Sequence, residues 1–388
     1  MKALIVFGTR PEIIKLAPLY FTMKKDIDVR TLHTRQHDEL ADDVLEFFKL
    51  KPEFSERCML IMNEERRSGS IGTIIRAINP DVVIVQGDTF TTYAGAYTAF
   101  LLKKPVIHME AGLRTYKKFS PYPEETFRRL TTQLADFHFA PTQMNYDNLI
   151  AEGVKPDRIF VAGNTIVDSM KMTSALINKD DVNDELSKSD PELTKMIEDK
   201  QFIVVTSHRR ENIGKPLDRI CKAVIELAKK YPKKVFIWTM HKNPAVREIV
   251  IHHMMHRPNN LRLIESISYP TMLYLIKHSQ MMLTDSGGIQ EEVVSYNKPI
   301  IILREDTERP EVVEEGLGFL VGSDTKLIID TFEKLDTNYE TFKELHNPYG
   351  DGRTSERVVK LLQHPEVIKF LKHYPDNAET VFDIKELL

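Results

Sequence analysis

Short, wholly apolar runs alternate with longer amphipathic segments along most of the chain. In the first half the apolar runs predict buried strands at Ala3–Phe7, Val82–Val85, Pro105–His108, Phe137–Ala140 and Ile159–Ala162. A periodicity of 3.6 residues predicts helices between them at Pro11–Lys24, Thr91–Leu102 and Glu125–Ala135. Strands that are apolar on both faces belong in a parallel sheet covered by helices, so this half predicts a doubly wound α/β domain.

A second series of the same kind follows a polar segment, residues 174–200, which predicts a partly helical surface connection. Its strands are expected at Phe202–Thr206, Val235–Trp238, Leu261–Ile264, Met281–Thr284 and Pro299–Leu303, and its helices at Leu217–Lys230, Tyr269–Lys277 and Ile289–Ser295. Because 388 residues exceed the usual size of one domain, we expect domains at 1–170 and 201–362, a linker at 171–200 and a tail at 363–388. One large barrel is the alternative.

The composition excludes several classes of protein. A net charge of -4 lacks the basic excess that binding along a nucleic acid requires. The two cysteines, Cys58 and Cys221, are far apart, which favours a reducing compartment over a disulfide framework. The sequence runs from Met1 directly into a strand pattern and has no apolar run of 18 residues, so we expect a cytoplasmic protein without membrane insertion.

The residues that follow the predicted strands are unusually polar. They form the strings Gly8-Thr9-Arg10-Pro11-Glu12, Gln86-Gly87-Asp88-Thr89, His108-Met109-Glu110, Ser207-His208-Arg209-Arg210-Glu211, His241-Lys242 and Asp285-Ser286-Gly287-Gly288. Open parallel sheets bind ligands outside the carboxyl ends of their strands. Two such domains facing each other across these ends predict one charged central cleft.

Phosphate binding is the first function that these strings indicate. Asp285-Ser286-Gly287-Gly288 opens a helix, where backbone N–H groups and a hydroxyl bind phosphate oxygens, and Glu291 or Glu292 on its first turns suits ribose hydroxyls. An ordinary helix cap with a glycine turn is the alternative. Arg10 and Lys15, with Arg209 and Arg210 in the second series, are candidate diphosphate clamps, although any one of them alone is more often a surface charge.

Acid–base chemistry is the second function that the polar strings indicate. Asp88, Glu110 and His208 lie at predicted strand ends, and Glu124 lies in a loop before a helix. Taken singly, Asp88 also suits a helix cap, Glu110 a core hydrogen bond and Glu124 a dipole partner in a first turn. Their convergence favours catalysis.

Two further site classes receive no support. His252, His253 and His256 lack an HExxH pattern or a third ligand at a strand end, so a solvated helix face is favoured over a metal site. The first strand is followed by Gly8-Thr9-Arg10-Pro11-Glu12-Ile13 instead of GxGxxG, so no nicotinamide site is indicated.

Several uncommon strings occur together in one order. They are Phe7-Gly8-Thr9-Arg10-Pro11-Glu12-Ile13-Ile14-Lys15, Gln86-Gly87-Asp88-Thr89, His108-Met109-Glu110-Ala111-Gly112-Leu113-Arg114, Gly163-Asn164-Thr165, His208-Arg209-Arg210-Glu211-Asn212, Thr284-Asp285-Ser286-Gly287-Gly288-Ile289-Gln290-Glu291-Glu292 and Glu308-Arg309-Pro310-Glu311. From Met1 to about Leu362 the chain resembles the non-hydrolysing UDP-N-acetylglucosamine 2-epimerases.

The resemblance implies a GT-B-like fold of two Rossmann-like domains, a homodimer formed through the N-terminal domain, no organic cofactor, and a final helix that folds back onto the first domain. It implies loss of UDP from carbon 1 with removal of the carbon 2 proton, and re-addition of UDP to 2-acetamidoglucal to give UDP-N-acetylmannosamine. The family's catalytic positions map onto Asp88, Glu110, Glu124 and His208. The resemblance leaves open which of the three carboxylates takes the carbon 2 proton. The substrate-binding positions are Arg10, Lys15, Arg114, Arg209, Ser286, Gly287, Gly288, Glu292 and Arg309.

Two departures from the family pattern affect the expected sites. Phe127 stands where an amide is typical, in Pro123-Glu124-Glu125-Thr126-Phe127-Arg128. A second, activating substrate site in bacterial members maps onto Gln36, Glu39, Arg209 and His241. The carboxylate of Glu39 replaces an amide there and repels a diphosphate unless Arg66 or Arg67 neutralises it, which predicts weakened activation.

Three other functions remain open from the sequence: a hydrolysing 2-epimerase, a GT-B glycosyltransferase and a UDP-sugar sensor without turnover. The Arg10–Ile13 run argues against the hydrolysing type, which typically lacks it. A glycosyltransferase requires a separate acceptor, and a sensor is expected to have lost the acidic and histidine positions. The sequence leaves open a related 2-acetamido sugar as the substrate.

Overall fold

A computed structural model describes residues 1–37, 39–57, 69–198, 200–338, 342 and 347–383 of the chain. Its strands are β1 (Lys2–Phe7), β2 (Asp28–His33), β3 (Phe54–Ser55), β4 (Val82–Gln86), β5 (Val106–Met109), β6 (Phe137–Ala140), β7 (Ile159–Val161), β8 (Phe202–Thr206), β9 (Val235–Thr239), β10 (Leu261–Ile264), β11 (Met281–Thr284), β12 (Ile300–Ile302) and β13 (Gly318–Leu320).

The helices alternate with these strands. They are α1 (Arg10–Met23), α2 (Glu39–Phe47), α3 (Gly69–Ile78), α4 (Phe90–Leu101), α5 (Glu124–Leu134), α6 (Gln143–Ala151), α7 (Thr165–Leu176), α8 (Lys179–Ser189), α9 (Leu193–Glu198), α10 (Lys215–Lys230), α11 (Pro244–Met254), α12 (Tyr269–His278), α13 (Gly287–Val294), α14 (Pro310–Glu314), α15 (Thr325–Thr337), α16 (Thr354–Leu362) and α17 (Pro365–His373). Among the described residues, no helix is both long enough and apolar enough for a membrane crossing.

The chain divides into two compact units. The first comprises residues 1–169 and 349–388, and the second comprises residues 170–348. The first unit contains a seven-stranded sheet in the order β3-β2-β1-β4-β5-β6-β7, with every strand parallel to its neighbours. β1 and β4 are buried along almost their whole length, as the apolar runs predicted.

The second unit repeats the plan with six strands in the order β10-β9-β8-β11-β12-β13, again all parallel. The two parallel sheets with their helices confirm the predicted two-domain α/β fold. The reversal of strand order lies between β1 and β4 in the first unit and between β8 and β11 in the second. Ligands of such sheets bind at these switch points, outside the carboxyl ends of the strands.

The strands that the sequence did not predict are short or partly exposed. β2 begins with Asp28 and Arg30 on its exposed part, and only its last three residues are buried. β3 has two residues and β13 has three, one of them a glycine. Charged positions and short length remove the uniform apolar run on which the prediction depended.

The expected linker is part of the second unit. Within residues 174–200, α8 and α9 pack against this unit, and Glu185 accepts hydrogen bonds from the backbone N–H and the hydroxyl of Ser268, each at 2.6 Å. Asp190 pairs with Arg262 on β10. The segment is therefore an ordered addition to the second unit instead of a free connection.

The chain after residue 348 belongs to the first unit, whereas the expected boundary lay at residue 362. α16 packs on α1, and Asp168 accepts the backbone N–H groups of Thr354 and Ser355 at 3.3 and 2.8 Å. These bonds satisfy free N–H groups at the start of α16, which ties this helix to the end of the first sheet.

The tail beyond α17 is held by Arg158, which precedes β7. The Arg158 guanidinium donates to the carbonyls of Ala378 and Thr380 at 2.9 and 2.7 Å. Its centre lies 4.6 Å from the ring of Phe370 and 4.8 Å from that of Phe382, within the range of cation–π attraction.

Two buried histidines lie in the centre of the first sheet, His108 on β5 and His138 on β6, with ring centroids 6.4 Å apart. Burial lowers the pKa of His108 to about 4 and that of His138 to about 3. Both are therefore neutral in the folded protein at pH 5–7, whereas unfolded histidines titrate near pH 6.5. Burial acts in the opposite direction on the nearby carboxyl of Asp136, raising its pKa to about 6.

We expect acid to destabilise the first unit through these histidines, because unfolding below pH 6.5 takes up protons that the folded state does not bind. For each histidine the loss approaches about 1.4 kcal/mol per pH unit between pH 6.5 and the folded pKa. Hydrogen exchange of peptides from β5 and β6 at pH 7.5 and 5.5 measures this loss of stability, in the wild type and in His138→Gln. The stability of His138→Gln should depend less on pH than that of the wild type. His373→Gln, at an exposed histidine, is the control and should show the pH dependence of the wild type. Asp136 is present in all three proteins, so its contribution cancels in both comparisons. Equal pH dependence in the wild type and His138→Gln would contradict the assignment.

Candidate active site

The turn after β1 is built around the carboxylate of Glu12. One oxygen accepts the backbone N–H groups of Gly8 and Thr9 at 2.8 and 2.7 Å, and the other accepts the hydroxyls of Thr89 and Thr92 at 2.5 and 3.0 Å. Burial raises the pKa of Glu12, and these hydrogen bonds oppose that shift. Glu12 thus fixes the ends of β1 and β4 relative to each other.

Glu110, directly after β5, lies in the left-handed backbone region with φ of 58°. One of its oxygens forms an ion pair with Lys15 of α1 and accepts the Asn164 side-chain amide at 3.4 Å. The other oxygen accepts the side-chain amide of Gln86, the last residue of β4. Three N–H donors from separate elements therefore converge on this carboxylate.

Lys15 was predicted to bind a diphosphate, but in the structure it pairs with Glu110 and is buried. The pair explains why a lysine lies on the inner face of α1, because a buried cation requires a nearby anion. Its predicted diphosphate contact stays a prediction.

Asp88 lies on the neighbouring turn and pairs with Arg128 of α5. The Arg128 guanidinium also contacts Glu125 at 3.1 Å. Glu125 in turn accepts the backbone N–H groups of Thr115 and Tyr116 at 3.1 and 3.0 Å, so it anchors the segment that follows β5. The sequence did not identify Arg128 as a site residue, although it lies four positions after Glu124.

Glu124 begins α5, and its Oε2 atom is buried without a hydrogen-bond partner among the described residues. Phe127, the residue that departs from the family pattern, stacks on Tyr93 of α4 with ring centroids 5.6 Å apart and an interplanar angle of 9°. The ring therefore occupies the contact between α4 and α5.

Arg10 begins α1, and among the described residues no ion-pair partner of its guanidinium is seen. Its backbone N–H donates to His37 Nδ1 at 3.4 Å, and burial together with the Arg10 charge lowers the pKa of His37. The neighbouring Gln36 accepts the backbone N–H and hydroxyl of Thr91 at 3.0 and 2.8 Å. Arg66 and Arg67 lie outside the described residues, and only the backbone of Glu39 is described, so weakened activation stays a prediction.

Arg114 is buried in an ion pair, and its predicted substrate contact stays a prediction. Its side chain is 0% exposed and forms a two-point ion pair with Glu152 at 2.9 and 2.7 Å. The remaining donors bond the carbonyl of Leu113 and the hydroxyl of Thr132. Arg114 therefore joins the segment after β5 to the end of α6.

In the second unit, a buried carboxylate organises the turn after β8. Asp285 accepts the backbone N–H groups of His208 and Arg209, each at 3.0 Å, and the side chains of Ser207 and Asn212 at 2.7 and 2.9 Å. Sequence analysis placed Asp285 in the phosphate motif but did not predict that it orients the residues after β8.

Asp285 also faces His208, whose Nδ1 lies 3.2 Å from a carboxylate oxygen. This contact places the proton on Nδ1 and leaves Nε2 of the neutral ring as an acceptor. Burial lowers the pKa of His208, and Asp285 opposes the shift. The His241 ring stacks on that of His208 at 5.2 Å, and burial lowers its pKa as well.

The Ser286–Gly288 segment opens α13, and the Ser286 side chain makes no capping hydrogen bond. A Cβ on Gly287 would lie 2.6 Å from Arg309 and 2.7 Å from Glu308, whereas a Cβ on Gly288 meets no described atom within 4 Å. Gly287 is therefore required by the groups beneath it, and Gly288 faces open space. Glu292, in the second turn of α13, is buried. Burial raises the pKa of Tyr296, and the Glu292 charge adds to this shift.

Arg309, whose predicted substrate contact stays a prediction, packs against Gly287 at the start of α13. Its guanidinium contacts Glu291 at 2.7 Å and Glu308 at 2.5 Å, and all three residues are buried. Glu308 also accepts from Arg304 at 2.8 Å and lies 3.8 Å from Arg209. Arg309 thus supports the turn, while Arg209 is one-quarter exposed above it.

The remaining histidines form no metal site in the described part of the chain. His253 bonds Asp218 at 2.9 Å, and no group of three or more His, Cys, Asp or Glu side chains with ligand geometry occurs among the described residues.

Comparison with known proteins shows which family the chain is similar to. A family model described as UDP-N-acetylglucosamine 2-epimerase matches residues 21–363. This chain belongs to the UDP-N-acetylglucosamine 2-epimerase family. A 2-epimerase from Yersinia pestis is 39% identical over 378 residues, which cover 95% of this chain and 100% of that protein.

Solved structures of family members show the same fold. The Neisseria meningitidis UDP-GlcNAc 2-epimerase bound to UDP-GlcNAc has a TM-score of 0.82 and 39% identity, covering 93% of this chain and 99% of that one. The Methanocaldococcus jannaschii enzyme in complex with UDP-GlcNAc and UDP has a TM-score of 0.76 and 32% identity, with 93% and 99% coverage. The likeness therefore extends over both units and confirms the predicted family.

The two glycines of the α13 turn should respond differently to alanine. Gly287→Ala should lower the stability of the second unit by about 1–3 kcal/mol, because the new methyl group displaces the paired Arg309 and Glu308. Gly288→Ala should be neutral or stabilising by up to about 1 kcal/mol, since alanine favours a helix. Urea unfolding followed by the fluorescence of buried Trp238, the one tryptophan, measures the second unit. Equal effects of the two substitutions would contradict the packing beneath Gly287.

Proposed function

We propose that this family member reversibly inverts carbon 2 of UDP-N-acetylglucosamine, giving UDP-N-acetylmannosamine, without an organic cofactor. UDP leaves from carbon 1 as the carbon 2 proton is removed, which forms a double bond between the two carbons in 2-acetamidoglucal. UDP then returns to carbon 1 while carbon 2 receives a proton on the opposite face. No atom is gained or lost overall, so the reaction is an isomerisation.

The observation that carries the proposal is the set of carboxylates beside the carboxyl ends of β4 and β5. Asp88 and Glu110 each have a basic partner, Arg128 and Lys15, and Glu124 lies at the start of α5. The carbon 2 hydrogen is not acidic, so the reaction requires a positioned base and a positioned proton donor. Carboxyl groups in unequal surroundings suit these two tasks.

The second unit supplies the groups that suit a diphosphate leaving group. The start of α13 presents backbone N–H groups and the Ser286 hydroxyl, and the helix dipole favours negative charge there. Arg209, Gly287 and Gly288 adjoin this turn, and Glu292 follows it, where it suits the ribose. His208, oriented by Asp285, is the acid–base group of this unit in our proposal.

Arg10 is the cation of the first unit that we assign to the diphosphate. Lys15 and Arg114 are engaged by Glu110 and Glu152, whereas Arg10 at the start of α1 is not seen in an ion pair among the described residues. The retained Arg10–Ile13 run also favours the non-hydrolysing reaction over the hydrolysing one. The intact acidic and histidine positions favour catalysis over a sensor. We also assign the protein to the cytoplasm, the compartment that the cysteine pattern favours.

Proton NMR of the purified protein with UDP-N-acetylglucosamine in deuterated water tests the reaction. We expect both epimers to appear with deuterium at carbon 2. Free N-acetylmannosamine would indicate the hydrolysing reaction, dependence on an added acceptor would indicate a glycosyltransferase, and an unchanged spectrum would indicate a sensor. Asp88→Asn, Glu110→Gln, Glu124→Gln and His208→Ala should each lower turnover by at least ~100-fold with the fold retained. Near-normal turnover in any one variant removes that residue from the proposed site.

The proposal includes a homodimer formed through the surface of α4 and α5. Phe100 and Leu101 of α4 and Leu130 of α5 are 51%, 41% and 43% exposed, so these helices present apolar side chains to solvent in a single chain. A second copy that covers them removes this apolar area from water.

Light scattering after size exclusion tests the dimer. We expect twice the mass of one chain for wild type and one chain mass for the double variant Phe100→Glu, Leu101→Glu, because charge at the interface opposes burial. Leu176→Glu, at an equally exposed leucine of α7, is the control and should stay dimeric. A dimer in the double variant would place the interface elsewhere.

A further inference from the structure

Gln86 is a fully enclosed amide that faces a proposed catalytic carboxylate. It ends β4, is 1% exposed, and donates from its side-chain nitrogen to Glu110. Its own side-chain oxygen is buried and has no hydrogen-bond partner among the described residues. Buried polar atoms without partners are rare, and each requires a reason.

The orientation of this amide follows from Glu110. Rotating the amide by 180° would place its oxygen against the Glu110 carboxylate, oxygen against oxygen, and would lose the hydrogen bond. The observed orientation keeps the donor on Glu110 and leaves the acceptor unsatisfied. The carboxylate therefore determines the orientation of the Gln86 amide. The buried amide oxygen has lost its hydrogen bonds to water, and no bond within the described residues offsets that desolvation cost.

The described contacts of Glu110 fall on both of its oxygens. Lys15 and Asn164 both contact Oε1, whereas Gln86 contacts Oε2. The lysine is a rotatable point charge at the end of a flexible stem, so it supplies charge with little directional constraint. A planar amide on the opposite oxygen fixes the rotation of the carboxylate about its last bond.

We propose that Gln86 is a positioning residue that holds the Glu110 carboxylate in its reactive orientation. This inference rests on the proposed function, because it assigns Gln86 a role in the same reaction. Gln86 itself is enclosed and contacts no substrate; it acts through Glu110 alone. A misplaced catalytic group loses rate steeply with small displacements, so removal of the amide should lower kcat and leave substrate binding largely intact.

The test is a double-mutant cycle between Gln86→Met and Glu110→Gln. Methionine keeps the length and volume of the side chain but has no N–H donor. We expect Gln86→Met to lower kcat by about 10- to 100-fold in the wild-type background with KM within about twofold. In the Glu110→Gln background the same substitution should change the residual rate by less than about twofold, because residues that act as a unit are not additive.

Gln280→Met is the matched control. Gln280 is also a buried amide, and it bonds the carboxylate of Asp336 at 2.7 Å and the amino group of Lys234 at 2.8 Å, but it precedes β11 at the opposite end of its strand from the site. We expect the control to alter stability and leave kcat unchanged. If Gln86→Met does not fold, Gln86→Asn, which withdraws the amide by one methylene, replaces it in the same cycle.

The outcomes separate the inference from the proposed function. If the wild type epimerises the substrate but the losses in the cycle are additive, the role of Gln86 is overturned and the proposed function stands. Normal kcat in Gln86→Met has the same meaning. A comparable loss of kcat in Gln280→Met would also overturn it, since any lost buried amide would then suffice. Absence of turnover in wild type overturns the proposed function and this inference with it.

Discussion

Peptide N–H groups at the carboxyl ends of parallel strands have no partner within the sheet, and both units satisfy them with a buried carboxylate. Glu12 accepts the N–H groups of Gly8 and Thr9, and Asp285 accepts those of His208 and Arg209. Each carboxylate also bonds side chains on another turn or segment. The strand ends that carry the proposed chemistry are thereby held in fixed relation within each unit, since buried backbone donors are costly to leave unpaired.

Ion pairs then engage the acid–base residues of the first unit: the Lys15–Glu110 pair is buried, whereas Asp88 is partly exposed beside buried Arg128. Lys15 and Arg128 reach Glu110 and Asp88 from two different helices, α1 and α5. A hydrophobic pair would stabilise such positions as well as or better than an ion pair does, because burying charge carries a large desolvation cost. Stability alone therefore does not explain the buried Lys15–Glu110 pair, whereas a site that needs a carboxylate held in one place beside its substrate does explain it.

The sequence predicted the residues at the strand ends well, because uniform apolar runs mark buried strands and the polar strings follow them directly. It predicted the partners of those residues poorly. Arg114 and Arg309 lie in motifs that also contain site residues, yet Glu152 and Glu291 engage them in the interior. Motif membership places a residue near a site along the chain, but only the packing of distant segments decides where its side chain points.

The same limit explains why Phe127 could not be interpreted from the motif. Along α5, Glu125 and Arg128 are three positions apart and share the inner face, where they contact each other at 3.1 Å. Phe127 lies on a different face and stacks on Tyr93, which in turn stacks on Tyr97 at 5.8 Å. The aromatic surface of α4 therefore accommodates the Phe127 ring. Tyr93, Tyr97 and Phe127 thus form one aromatic packing unit between α4 and α5, which is what decides where this ring lies.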